Sequence, residues 1–410
     1  MRWIILSYLI FNPLFFWVNY NSRDVQQIFF QISSIVVFSL GMFFAQREIK
    51  FSKLNAAIGC LLIAFLFAWL RTLGGLSTDI PRYYIALNFI CGFLVYLTVI
   101  KTFKIDDIKF IFKGLGYFTA FCIIILALQF FNYDFRDAVI WRGITVIRAR
   151  ESIFFQSSAM GMYFAHNLSL LLTLSPIHLL LFIPMLVSQS SAAIFGSIGA
   201  IGFFLWFRCR ILFWIFMGIC SFGMIVVFSI PQIRQETLTG FKIRLPLWGA
   251  VIQDITRYPL GHGLDSFANP VWETEFRYFN YNEGDSKYDV VRMVKENNKA
   301  RGSSDNDNML LKKIIDNPSS CSLTFSDHPH NEYLWLAYEI GVQALVILGF
   351  IFYFIWDRFK RSKREIFACA SMGVLICLAI ECLTQFPFHL ARIGHILPIV
   401  LGIFYLTTED

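Results

Sequence analysis

The stretch ILFWIFMGICSFGMIVVFSI, residues 211–230, runs for twenty residues without a charged side chain. About 20 mainly apolar residues in an α-helix cross the hydrocarbon core of a bilayer, so this stretch reads as a transmembrane helix. Towards the N-terminus, comparable runs cover 191–207, 177–190, 152–174, 108–131, 83–100, 54–70, 25–46 and 3–20. The pair 177–190 and 191–207 is broken at the polar Ser188-Gln189-Ser190-Ser191. Towards the C-terminus lie 332–356, 366–385 and 389–406. The expectation is an all-α integral membrane protein with about twelve spans. Trp3 to Val18 has the length of a signal peptide, but it lacks a small-residue cleavage site and contains Asn12-Pro13. It reads as an uncleaved first span.

Composition agrees. Of 410 residues, 57% are hydrophobic and 15% charged, where soluble domains carry about 25% charged residues. That charge is too sparse to cover the two or three soluble domains a chain of this length would form. Forty-six Phe and ten Trp suit a lipid-facing surface. The net charge is +7, yet no Lys/Arg block is clustered or interleaved with aromatics, which argues against nucleic acid as a partner. Of nine cysteines, Cys321 alone lies in the long polar stretch, so no disulfide can form within it, and there is no CxxC.

That polar stretch, 231–331, separates nine spans in 1–230 from three in 332–410. Basic residues in short loops favour the cytoplasmic side. With the N-terminus inside, the inward short loops hold fifteen Lys and Arg and the outward ones eight. Both termini are therefore expected in the cytoplasm and 231–331 outside it. The outward eight are all arginines: Arg23, Arg71, Arg82, Arg136, Arg142, Arg148, Arg150 and Arg392. Arginine presents a planar fork that holds phosphate through paired hydrogen bonds, whereas lysine is a point charge. The bland alternative is a set of snorkelling anchors.

Three of the seven histidines fall in the large loop, two of them in Asp327-His328-Pro329-His330-Asn331-Glu332-Tyr333-Leu334. This phrase opens span ten. Pro329 suits a helix start and Asn331 is a good N-cap, which would hold His330 at the lip of the membrane. An imidazole with a reference pKa of about 6.5 accepts a proton near neutral pH. His328-Pro329-His330 lacks a third metal ligand of fixed spacing. Asp305-Asn306-Asp307, the kind of triplet that holds a divalent ion, is flanked by Gly302-Ser303-Ser304 and Asn308 and reads as a solvated turn. No metal and no cofactor are expected. Pro259-Leu260-Gly261-His262-Gly263 could cradle a phosphate, but two glycines are few for that and a tight turn is the simpler reading. His166 and Glu381 fall inside predicted spans, where ionisable groups serve function or hydrogen-bond helix to helix.

The sequence resembles the O-antigen ligase superfamily of bacterial envelope glycosyltransferases. The phrase that carries the likeness is His330-Asn331, nine residues, then Gly341-Val342-Gln343 and Ala344, where the family has Gly, Thr or Tyr at the last position. A second phrase, Arg244-Leu245-Pro246-Leu247-Trp248 followed by Tyr258-Pro259-Leu260-Gly261-His262-Gly263-Leu264, is similar to the family's Arg-x-x-x-Trp and Pro-leading Gly-x-Gly. Two other segments depart from the pattern. Gln156-Ser157-Ser158 stands where relatives read Glu-Pro-Ser, and Ser190-Ser191-Ala192 where they often have Ser-Arg-Gly. Thr384-Gln385-Phe386-Pro387-Phe388-His389 is a weaker likeness.

The resemblance implies an enzyme of the bacterial inner membrane with its site facing the periplasm. It would move a glycan from undecaprenyl diphosphate to an acceptor hydroxyl, with lipid A-core favoured as acceptor. Attack at the anomeric carbon needs a base and a cation to hold the departing diphosphate. His330 is the expected base and Arg244 the expected clamp, in an inverting, metal-independent reaction. His328, Asn331, Trp248, Arg148, Arg150, Arg277 and Arg292 are the expected substrate-binding set. The family's further essential loop arginine matches Arg277, Arg292 or Arg301, among which the sequence does not choose. An O-antigen polymerase is the runner-up, although many polymerases lack the His-Asn phrase, and a protein O-oligosaccharyltransferase would use the same base on a Ser or Thr hydroxyl. A lipid-linked sugar transporter or flippase would bind near the midplane through broken helices and repeats. No repeat is visible, and the distinctive residues cluster at one edge. A non-catalytic scaffold would need neither His330 nor Arg244.

Overall fold

The computed structural model describes residues 1–14, 23–45, 48, 52–74, 84–130, 157–188, 190–229, 244–245, 248–249, 251–264, 331–363, 365–385 and 394–408, and among these every regular element is a helix. In chain order they are α1 (Arg2–Leu14), α2 (Arg23–Phe43), α3 (Lys53–Gly74), α4 (Tyr84–Thr102), α5 (Ile105–Phe130) and α6 (Ser157–Leu171). A 3-10 helix (Pro176–Leu181) leads into α7 (Phe182–Val187), followed by α8 (Ser191–Arg208) and α9 (Arg210–Ser229). A short helix, α10, covers 251–257. Then come α11 (Glu332–Glu339), α12 (Val342–Ser362), α13 (Ile366–Glu381) and α14 (Ile396–Thr407).

Among the described residues, four helical segments are long and apolar enough to cross a membrane: Lys53–Arg71, Ile105–Gln129, Ser191–Arg208 and Val342–Ser362. Shorter apolar helices include Ile28–Phe43, Leu87–Thr102, Arg210–Val226, Ile366–Glu381 and Ile396–Thr407. Two expected spans differ. Residues 177–190 are not one uniform helix but two consecutive six-residue pieces, a 3-10 turn and an α-helical one, rising together about 20 Å. The cause is local. Ser175 accepts from the Ile177 N–H, Pro176 opens the 3-10 helix, and a second proline, Pro184, has no N–H to give to the ladder. Span ten is likewise interrupted, with α11 ending at Glu339 and α12 starting at Val342.

Contacts divide the chain into two units. The first comprises Met1–Leu66, Arg82–Ile225 and Val346–Asp410. Its centre is α13, which packs most extensively on α8 and also on α6 and α14. From Phe367 to Leu378, nearly every α13 residue is buried, as expected of a helix apolar all round. Close approach comes from small residues. A Cβ on Gly196 of α8 would lie 2.7 Å from Cys377 Sγ and 3.1 Å from the Cys377 carbonyl oxygen, so only glycine lets these two helices meet there. Polar caps punctuate the apolar run. Ser190 accepts from the Ala193 N–H at the start of α8, and Glu365 accepts from the Ala368 N–H, at 2.6 Å, at the start of α13. The outward residues of α9 are apolar, with Ile211, Trp214, Ile219, Phe222 and Ile225 each about two-thirds exposed or more. Such a surface suits hydrocarbon rather than water.

The second unit comprises Phe67–Pro81 and Val226–Leu345. It takes in the segment expected as the large loop, 231–331, together with α11 and the end of α3.

Candidate functional site

Asn331 starts α11 as an N-cap, its side-chain oxygen accepting from the Leu334 N–H at 3.0 Å. The helix ends where Gly341 takes a φ of +109°, a left-handed conformation glycine adopts freely. The Asn-to-Gly spacing of the ligase-like phrase is therefore the length of one short capped helix. Two of its positions, Asn331 and Gly341, thus have a structural explanation as the ends of that helix.

The second phrase is clasped onto the end of this helix. The His262 N–H donates to the Tyr338 carbonyl and the Gly263 N–H to the Glu339 carbonyl, both at 2.9 Å, while the Val342 N–H donates to the Pro259 carbonyl at 2.8 Å. The Leu260 carbonyl accepts from Gln343 Nε2 and from the Arg71 guanidinium. Gly261 has a φ of +83°, and a Cβ there would sit 2.6 Å from the Glu339 oxygen, the Ile340 carbonyl carbon and the Gly341 nitrogen. So residues 259–263 form a tight turn. The N–H groups of His262 and Gly263, which a phosphate cradle would need, are spent on helix carbonyls. These bonds occupy carbonyls at the end of α11 that would otherwise have no helical donor.

The turn positions a group whose role the sequence did not suggest. His262 Nε2 lies 2.9 Å from Oδ2 of the mostly buried Asp254 on α10, within ion-pair distance but not aligned as a hydrogen bond. The imidazole stacks on Tyr338 with centroids 4.4 Å apart, and Tyr258 lies at 4.8 Å on a tilt. Asp254 also faces Tyr338. On α11, Trp335 Nε1 donates to Glu339 Oε1 at 2.7 Å, one turn away, and Glu332 is fully enclosed. No local pattern ties Asp254 to His262. The Trp335–Glu339 pair does have a signal, the i, i+4 spacing.

Arg244, the expected clamp, lies in a helical turn and is half-buried. Burial pushes its guanidinium pKa down from the ordinary arginine value. No described residue hydrogen-bonds or ion-pairs with it. Trp248 is likewise half-buried in a helical turn. His328, His330, Arg148, Arg150, Arg277, Arg292 and Arg301 lie outside the described residues, as do Asp305 and Asp307.

In the first unit, His166 and Glu381 come together. His166 Nε2 on α6 lies 2.6 Å from Glu381 Oε2 on α13, both enclosed, and Cys377 Sγ lies 3.5 Å from Glu381 Oε1. Among the described residues, His166, Cys377 and Glu381 have donor atoms within 4.8 Å of one another, an N, S, O set that zinc accepts. The hydrogen-bonded pair already explains the geometry, because buried ionisable groups persist when paired. On α6, a Cβ on Gly161 would stand 3.0 Å from the Ser190 Cβ and 3.1 Å from the Ala193 Cβ, so α6 and the start of α8 approach closely there. Comparison with protein-family models, with curated proteins and with solved structures finds no match to this chain.

Proposed function

We propose that the protein is an O-antigen ligase-type glycosyltransferase, spanning the bacterial inner membrane about twelve times with 231–331 on the periplasmic face. The observation that carries this reading is Arg244, a half-buried cation with no anionic partner among the described residues. A desolvated charge is costly until it is paired, and a diphosphate supplies the pairing. Its neighbourhood in sequence supports the same reading, since the phrase it opens is clasped to the helix that His330-Asn331 introduces. Arg71, one of the eight arginines expected on the outward side, contacts Leu260 of the loop, in keeping with the proposed orientation.

In the proposed reaction, an acceptor hydroxyl oxygen attacks the anomeric carbon of the lipid-linked glycan. The bond from that carbon to the diphosphate oxygen breaks, undecaprenyl diphosphate departs with the bonding pair, and His330 takes the hydroxyl proton. Configuration inverts. Arg244 binds the charge that develops on the leaving oxygens, and no step calls for a metal ion.

The test is glycan attachment by Arg244→Lys and His330→Ala in a strain lacking the native chain, alongside His328→Ala. A lysine keeps the charge but loses the fork, and losing one transition-state donor typically reduces turnover by ~10²–10³. Arg244→Lys should be impaired by that order at saturating donor, His330→Ala should be inactive though inserted, and His328→Ala milder. Near-normal turnover by the lysine variant would leave Arg244 as an interfacial anchor.

A further inference from the structure

The turn between α8 and α9 makes a pocket that the proposed reaction does not use. Cys209 breaks the two helices with an extended backbone, its N–H donating to the Leu205 carbonyl at 2.7 Å. Arg208 ends one helix and Arg210 begins the next, and Lys363 reaches the same pocket from the loop after α12. Trp206, Phe207 and Cys209 complete the lining, which encloses about 240 Å³. That is below the ~300–1,000 Å³ of pockets that swallow whole small molecules, and suits a headgroup. Two short basic loops separated by some 150 residues of sequence are thus joined at one spot.

The charge balance favours an anion. Glu365 faces Arg208 and offsets one cation. Arg210 and Lys363 have no acidic partner among the described residues. Arg210 is held with its guanidinium carbon 5.3 Å from the centre of the Trp206 ring, and Trp206 in turn contacts Phe213 and Trp214. Immediately beyond the pocket, α9 turns Ile211, Leu212, Trp214 and Ile215 outward, each more than half exposed. A free phosphate would use the cations alone. A site with cations at one end and an adjoining bare apolar helix face matches a molecule with a phosphate at one end and acyl chains at the other.

We infer that this pocket seats the phosphate of an anionic phospholipid, with the acyl chains lying along α9. Basic pockets between membrane helices bind such headgroups, and each Lys or Arg near an anionic surface adds about fivefold to affinity. The lipid would brace the junction of α8 and α9 against the loop that follows α12.

Native mass spectrometry of the full chain in detergent, titrated with phosphatidylglycerol or phosphatidylcholine, tests the inference. Phosphatidylglycerol should bind in preference on the wild-type protein, and Arg210→Gln/Lys363→Gln should reduce that preference roughly tenfold or more. Arg210→Lys/Lys363→Arg should retain it, and Lys109→Gln, a surface lysine elsewhere, should not change it. Inorganic phosphate at matched concentration should fail to displace the lipid. Equal binding of the two lipids to wild type, or an unchanged preference in the Gln variant, would overturn the inference. Displacement by inorganic phosphate would overturn the lipid as the occupant and leave a site for the free anion. None of these readouts depends on glycan transfer, so their failure and failure of the proposed function are separable.

Discussion

At the residue scale, the His166–Glu381 pair poses a question that energetics can answer. Two enclosed ionisable groups at 2.6 Å are stable together, but removing one strands the other, at about 3–5 kcal/mol. Replacing both with apolar residues of similar volume is often neutral or stabilising. Glu381→Met alone should therefore lower thermal stability in detergent by that order, and adding His166→Leu should restore most of it. If the pair serves only to hold α6 to α13, the double variant should also transfer glycan normally. A stable but inactive double variant would instead give the pair a role in function. Cys377 complicates the choice of substitution, since its thiol leans on the same carboxyl group. Gly196 adds a further constraint, because anything larger than a hydrogen there meets Cys377.

At the element scale, the clasp of 258–264 over the α11–α12 break depends on one glycine. Gly261→Ala would place a Cβ 2.6 Å from three backbone atoms in a left-handed conformation that itself carries a penalty of about 1–2 kcal/mol for a residue with a Cβ. Backbone atoms cannot rotate away as a side chain can. The expected outcome is local opening, visible as faster amide hydrogen exchange at His262, Gly263 and Val342, with exchange in α13 unchanged. Slow exchange at those three amides in the variant would show that the turn tolerates a side chain and that the bonds to α11 do not depend on glycine. The same element holds Asp254 against His262, so opening should also release that pair.

At the scale of the whole molecule, the proposed mechanism requires the loop to face away from the cytoplasm. The basis is fifteen inward against eight outward basic residues in short loops. An alkaline phosphatase fusion near Asn306, active only outside the cytoplasm, should be active, and a fusion near Lys363 should be silent. Activity in the reverse pattern would sink the orientation and, with it, access of His330 to an outward acceptor. The anionic-lipid pocket at Arg208, Arg210 and Lys363 would survive that result, because it requires a membrane and not a particular side of one.

Most helices were readable from composition alone, because a run of apolar residues has few options other than a buried or lipid-facing helix. α8 and α9 begin and end within a residue or two of their expected bounds, and Asn331 caps α11 as its residue type and position suggest. The misreadings fell where local chemistry interrupts an apolar run. The prolines and Ser175 divide 177–190, and Gly341 breaks 332–356. A glycine inside an apolar run is usually tolerated by a helix. What makes this one a break is a turn some 80 residues earlier in the chain, whose N–H groups take up the carbonyls at the end of α11. The His166–Glu381 pair is separated by 215 positions, and nothing in either neighbourhood names the other. The sequence by itself determined the helical, apolar character of the protein and which residue types the proposed transfer could draw on, because both depend on side-chain type and spacing. Only the tertiary structure decided that Gly261 and Gly341 meet, that Asp254 faces His262 and that His166 pairs with Glu381. Such pairings follow from three-dimensional packing, which a local pattern does not encode.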